Sequence, residues 1–79
     1  MKVNVKLFAT LQRYKPDVFA GEVFPVELPD KSTLADLVKH LEIRPNEVKV
    51  MFVNGRARAE MYRLQDGDEV GIFPPVGGG

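Results

Sequence analysis

The residues that could do chemistry are concentrated at the end of the chain, in the segment Phe73, Pro74, Pro75, Val76, Gly77, Gly78 and Gly79. The two prolines stiffen an extended exit, because their φ angle is fixed and they donate no backbone hydrogen bond. The glycines carry no side chains and could enter a narrow channel. The six residues beyond Phe73 span at most about 20 Å, enough to bring the carboxylate of Gly79 into a pocket of another protein.

Composition alone leaves a second interpretation of this segment open. Three of the seven glycines in the chain are its last three residues. Chain ends are often frayed and without function, and a glycine run can also be a linker remnant.

No other part of the sequence predicts a catalytic side chain. His40 is the only histidine and Ser32 the only serine, and there is no cysteine. Ser32 lies at the predicted start of a helix, and His40 is expected to face solvent on that helix, so a serine–histidine–aspartate triad is not predicted. Without cysteine there can be no disulfide, no thiolate metal site and no cysteine nucleophile. We therefore predict no resident metal.

Two groups of charged residues admit both a simple and a functional interpretation. The acidic group, Asp66, Asp68 and Glu69, lacks the spacing of a calcium loop, and we expect it to be a solvated turn. The basic group could be a solvated strand face or a patch that attracts an acidic partner. Its members are Lys2, Lys6, Arg13, Lys15, Arg56, Arg58 and Arg63.

Length and charge limit the classes of protein that are possible. With 79 residues the chain makes one domain. Its eleven basic and eleven acidic residues leave no net charge, which argues against a general nucleic-acid binder. No apolar run is long enough to cross a membrane. We expect a cytoplasmic protein.

The first half of the sequence predicts two strands and a helix that would position the C-terminal segment. Residues 2–8 alternate, with Val3, Val5 and Leu7 on one face, and residues 24–28 form a second strand in which Pro25 indicates a sheet edge. Residues 8–14 are ambiguous. A capping box at Thr33 starts a helix, and its apolar stripe ends before Pro45. The stripe consists of Leu34, Leu37, Val38 and Leu41.

The second half predicts the remaining strands. Residues 48–53 form a strand, Asn54-Gly55 is a hairpin signal, and residues 56–59 form a weak strand. Residues 69–73 form the last strand, with Val70 and Ile72 facing inward. We predict an α+β fold of the ubiquitin-like, β-grasp kind, in which one main helix packs on one face of a mixed sheet. The domain occupies residues 1–73, and a flexible Gly-Gly tail occupies residues 74–79.

The end of the sequence resembles a known family. The segment Leu64-Gln65-Asp66-Gly67-Asp68-Glu69-Val70-Gly71-Ile72-Phe73-Pro74-Pro75-Val76, closed by Gly78-Gly79, is similar to the C-terminus of small subunits of molybdopterin synthase. The chain is identified as a member of the ubiquitin-like sulfur-carrier family, which also includes the thiamine-pathway carrier. The Phe8-Ala9, Thr33-Leu34 and Val53-Asn54-Gly55 segments support the match in element order.

The resemblance implies a function for Gly79. An E1-like adenylyltransferase would use ATP and magnesium to adenylate its carboxylate, and a sulfur donor system would convert it to a thiocarboxylate. The large subunit of molybdopterin synthase would then take the sulfur for a pterin precursor. The chain itself would be neither an enzyme nor permanently bound to a cofactor, and it would bind no nucleic acid or membrane.

The resemblance also implies a partner surface. Phe73, Pro74, Pro75, Val76, Gly77 and Gly78 would guide the tail into the partner, and an apolar outer face that includes Phe52 would dock on it. Ordinary core packing is the alternative for Phe52. Gly77 stands where a bulkier residue is common in molybdopterin synthase subunits, which keeps a thiamine-pathway carrier open. A ubiquitin-like protein modifier and a plain interaction module are further alternatives, although the Phe-Pro-Pro-Val exit favours the molybdenum or tungsten branch.

Overall fold

The residues that the computed structural model describes, 1–19 and 21–75, form one sheet of five strands with a helix packed on it. The strand order is β2-β1-β5-β3-β4, in which β1 and β5 are parallel and the other neighbours antiparallel. The strands are β1 (Lys2–Leu7), β2 (Phe24–Glu27), β3 (Val50–Val53), β4 (Arg56–Arg58) and β5 (Glu69–Phe73). The helix α1 is Leu34–His40, and short 3-10 helices occupy Ala9–Tyr14 and Pro45–Glu47. The predicted α+β architecture is confirmed.

The core lies between α1 and one face of the sheet. Val3, Val5 and Leu7 point into it with at most 2% of their surface exposed, as the alternation of β1 predicts. Leu34 and Leu37 of α1 are fully buried against them. Because inward and outward residues alternate along each strand, this burial also determines which side chains the opposite face presents.

The helix begins with the predicted capping box. The Thr33 hydroxyl accepts a hydrogen bond from the Asp36 amide at 3.2 Å, and the Asp36 carboxylate accepts one from the Thr33 amide at 2.8 Å. These two hydrogen bonds lower the pKa of the Asp36 carboxyl. The bond with the Thr33 backbone contributes most, and the bond with the Thr33 side chain comes second. Leu41 is the C-cap rather than a helical residue, because the chain turns to a positive φ at Glu42.

The two sheet edges are formed differently. Pro25 is exposed in β2, which is an edge strand as predicted. All three residues of β4, at the other edge, are exposed. The third predicted strand begins at Val50 rather than at residue 48, because the Val48 amide closes a turn onto the Pro45 carbonyl at 3.1 Å. Among the described residues, no helix has the length and apolar character needed to span a membrane.

Candidate functional site: the outer sheet face and the C-terminal exit

The chain leaves the sheet from its centre. The last strand, β5, lies between β1 and β3, and backbone hydrogen bonds hold it on both sides up to its end. The Ile72 carbonyl accepts from the Phe8 amide at 3.2 Å, and the Phe73 carbonyl accepts from the Lys49 amide at 2.8 Å. Pro74 is half-buried and Pro75 is exposed. The exit therefore starts from a fixed point, which determines where any segment after it can reach.

Three phenylalanines surround this exit on the outer face of the sheet, the face turned away from α1. The Phe8 and Phe73 rings are stacked with centroids 4.0 Å apart and planes 6° apart. Phe52 meets Phe73 edge-on, with centroids 5.5 Å apart and an interplanar angle of 77°. We call Phe8, Phe52 and Phe73 the aromatic cluster. All three side chains are half-buried, so the cluster keeps apolar surface in contact with solvent.

Gly71 makes room for the cluster. A Cβ at this position would lie 3.2 Å from Cε2 of Phe8 and 3.6 Å from Cε1 of Phe73. Its φ is not positive, so the need for glycine here is one of space rather than of backbone conformation. Its neighbours across the sheet are Lys6 and Phe52. The result is an open hollow of about 440 Å³ in the outer face, with Lys6 and Glu69 among its lining residues.

Phe52 was expected on an outer apolar face and Phe73 at the exit, and the structure brings the two rings into contact on the outer face. Their contact with a partner stays a prediction. Phe8 was not predicted as a site residue. The signal was present, because the outward positions of β1 continue from Asn4 and Lys6 to residue 8 in the same alternation. Four of the residues predicted to enter a partner lie outside the described residues, namely Val76, Gly77, Gly78 and Gly79.

The acidic group at the start of β5 is not simply a solvated turn, and the prediction for Asp68 is wrong. Its side chain is buried and accepts hydrogen bonds from Asn54 Nδ2 at 2.9 Å and from the Gln65 amide at 2.8 Å. The Asn54 side-chain oxygen accepts in turn from the Glu69 amide at 2.9 Å. These bonds fasten the β3–β4 hairpin to the start of β5. Asp66 and Glu69 are exposed, as expected.

The remaining candidate side chains do not converge. His40 is exposed on α1, and the Ser32 hydroxyl donates to the Pro29 carbonyl at 2.6 Å. Several basic residues interact locally: Arg13 pairs with Glu47, and Lys15 lies 3.6 Å from Asp17. Within residues 1–19 and 21–75, no three histidine, cysteine or acidic side chains are grouped in a way that could hold a metal ion.

A family model, described as the ThiS family, matches residues 5–79. The chain belongs to the ThiS family. This confirms its resemblance to the ubiquitin-like sulfur carriers. No curated protein matches the sequence of this ThiS-family chain.

The solved structures similar to this ThiS-family chain include molybdopterin converting factor subunits and small archaeal modifier proteins. A Pyrococcus furiosus protein with the provisional name molybdopterin converting factor, subunit 1 is 30% identical, with a TM-score of 0.73 over 96% of this chain and 99% of that one. The small archaeal modifier protein 1 of Haloferax volcanii is 26% identical, with a TM-score of 0.72 over the full length of both chains. A complex of subunits 1 and 2 of molybdopterin-converting factor from Helicobacter pylori contains a chain that is 24% identical, with a TM-score of 0.62 and full coverage of both.

These likenesses confirm the ubiquitin-like β-grasp fold. They also identify the ThiS-family chain as a small ubiquitin-like protein of the sulfur-carrier or modifier type. Both kinds of relative span nearly the whole chain, so the fold by itself does not separate the two functions.

Proposed function

We propose that this ThiS-family protein is the sulfur-carrying small subunit of molybdopterin synthase, in molybdenum or tungsten cofactor biosynthesis. The observation that carries the proposal is the exit at Phe73 and Pro74, which leaves the centre of the sheet directly beside the aromatic cluster. A partner that covers the cluster also covers the point from which the tail departs. A tail that starts at this point begins within the area that such a partner covers.

The proposed chemistry uses the carboxylate of Gly79. A carboxylate is a poor acyl donor until one oxygen becomes part of a good leaving group. An E1-like adenylyltransferase joins it to AMP, using ATP and magnesium, and releases pyrophosphate. Hydrosulfide or its equivalent from a sulfur donor system then attacks the acyl carbon, AMP leaves, and a thiocarboxylate remains. The carrier supplies the reacting group, and its partners supply the catalysis.

The geometry supports a partner that receives the tail in a deep site. Phe73 is the last residue held in the sheet, and the six residues after it span at most about 20 Å. Pro74 and Pro75 cannot donate to a strand ladder, so they lead the chain away from β5. The name of the Helicobacter pylori complex, which pairs subunits 1 and 2, supports the large synthase subunit as one such partner.

Mass spectrometry of the intact protein tests the proposal. After incubation with an E1-like activating enzyme, ATP, magnesium and sulfide, we expect the mass to change by the exchange of one oxygen for sulfur at Gly79. The thiocarboxylated protein should then convert the pterin precursor when mixed with the large synthase subunit. No exchange with the activating enzymes of the source organism would refute the carrier function.

Two alternative functions, those of a protein modifier and of a thiamine-pathway carrier, each have specific support. Full-length similarity to a small archaeal modifier protein favours transfer of activated Gly79 to lysines of other proteins. The matching family model and the glycine at position 77 favour a thiamine-pathway carrier. Isopeptides between Gly79 and lysine recovered from cells would establish the modifier. Sulfur delivery to a thiazole precursor rather than to the pterin would establish the thiamine carrier.

Phe52 provides a prediction about docking. Its ring packs edge-on to Phe73 and is half-buried, so Phe52→Ala removes one side of the aromatic cluster. If Phe52 is a central contact, its loss costs at least about 2 kcal/mol of binding free energy, or roughly thirtyfold in affinity. Titration calorimetry with the activating enzyme and with the large subunit measures the change.

Phe19→Ala is the matched control, because Phe19 is 83% exposed and does not line the hollow beside the cluster. We expect its affinity to stay within about twofold of the unmodified protein. Equal losses for the two variants would show that the aromatic cluster is not the docking surface.

A further inference from the structure

A second depression lies on the other side of the sheet, between α1 and the sheet end formed by β3 and β4. Its volume is about 730 Å³. Its floor is apolar and includes Val38, Ile43 and Met51. The exposed fractions of these residues are 6%, 3% and 7%, respectively. We call this depression the helix-side groove. Since the aromatic cluster is on the outer face, the two surfaces do not overlap.

The rim of the helix-side groove is predominantly basic. Four cationic side chains line it, together with the two carboxylates of Glu42 and Glu60, a balance of 4 − 2 = +2. The cations are Lys39, Arg44, Lys49 and Arg58. None of them takes part in the ion pairs found among the described residues, although Arg58 lies 4.9 Å from the centre of the Tyr62 ring. The whole chain is neutral, so this local excess is a property of the groove.

We infer that the helix-side groove binds an acidic segment of a partner protein that also carries apolar side chains. Apolar side chains would cover the floor at Val38, Ile43 and Met51, and carboxylates would face the basic rim. Charge complementarity of this kind favours one class of partner and speeds its association. A basic or neutral segment would leave Lys39, Arg44 and Lys49 without partners.

This inference rests on the proposed function in one respect. The activating enzyme and the large subunit are both proposed to cover the aromatic cluster, one after the other, so a protein that holds the carrier during either step must contact a different face. A segment in the helix-side groove leaves the aromatic cluster and the exit at Phe73 accessible. Such a segment could therefore hold the carrier while its tail lies in an active site.

A nuclear magnetic resonance titration of the full-length protein tests the inference. The probe is a synthetic peptide that alternates aspartate or glutamate with valine or isoleucine. We expect saturable shifts at Val38, Ile43 and Met51, and affinity that falls as the salt concentration rises, because exposed charges are screened. Shifts confined to the outer face, no shifts, or equal binding of a peptide with lysine in place of the acids would overturn the inference.

Charge reversal at the rim gives the matched comparison. The double variant Lys39→Glu, Arg44→Glu should bind the peptide at least about tenfold more weakly. Lys31→Glu reverses a charge at an exposed position that does not line the groove, and its affinity should stay within about twofold of the unmodified protein. Equal effects of both variants would overturn the inference, as would self-association of the protein through the groove in sedimentation.

The two proposals can fail independently. Thiocarboxylation of Gly79 is measured by mass and needs no peptide, whereas peptide binding is measured without activating enzyme or ATP. Normal thiocarboxylation with no peptide binding would refute the proposed role of the helix-side groove and leave the proposed carrier function standing. Peptide binding without thiocarboxylation would remove the carrier function and leave the groove as a binding surface.

Discussion

Deleting Gly79 is expected to reduce thiocarboxylation by at least about a hundredfold, although the shortened chain would still end in Gly-Gly. The reason is the distance that the tail can span from the sheet to the active site of the activating enzyme. Deletion moves the reacting carboxylate back by about 3.5 Å relative to Phe73, where the chain is anchored in the sheet. A displacement of even about 1 Å can cost two orders of magnitude in rate when reacting groups must be aligned. Single-turnover formation of the thiocarboxylate, followed by intact mass, measures the effect.

Gly77→Ala is the control for this prediction. It keeps the length of the tail and leaves Gly78 and Gly79 in place, so it changes neither the reach nor the reacting residue. We expect its rate to remain within about tenfold of the unmodified chain. If the Gly79-deleted protein is thiocarboxylated at the normal rate, then the enzyme recognises the Gly-Gly sequence, and the distance of the carboxylate from the sheet does not determine the rate.

Replacing Asp68 with alanine is expected to lower the free energy of unfolding by about 3 kcal/mol. The buried carboxylate accepts from Asn54 Nδ2 and from the Gln65 amide, and its removal leaves both donors without their partner. In a chain of this size such a loss lowers the melting temperature by roughly 12–24 °C. Thermal and urea unfolding followed by circular dichroism measure it.

Asp66→Ala separates this effect from the general loss of a negative charge. Asp66 is in the same turn but is exposed, and its side chain accepts one hydrogen bond, from the Lys2 amide at 2.8 Å. We expect a cost of about 1 kcal/mol or less. If both variants lose the same stability, then the Asp68–Asn54 interaction is not what fastens the hairpin to β5.

Much of the fold follows from local patterns. The alternation of Val3, Val5 and Leu7 identifies the inward face of β1, and the Thr33–Asp36 spacing identifies the start of α1. Pro25 indicates an edge strand because it has no amide hydrogen to donate. Each of these signals depends on residues a few positions apart, so no knowledge of the rest of the chain is needed.

The groove and the role of Asp68 could not be predicted in this way. The acidic turn at residues 66–69 has a local interpretation as a solvated loop, and only the position of Asn54 beside it makes Asp68 a buried acceptor. The helix-side groove combines α1 with the far edge of the sheet. Neither its basic rim nor its apolar floor is continuous in the sequence.

The sequence by itself determined the β-grasp class, the family and the segment that carries the proposed chemistry. The fold class rests on strand and helix periodicity, and the family rests on the motif from Leu64 to Val76 closed by Gly78-Gly79. Only the tertiary structure decided that Phe8 stacks on Phe73. That contact exists because β1 and β5 pair in parallel and Gly71 leaves space between them. Pairing between distant strands depends on how the whole core packs. The surface around the exit therefore could not be predicted from local sequence patterns.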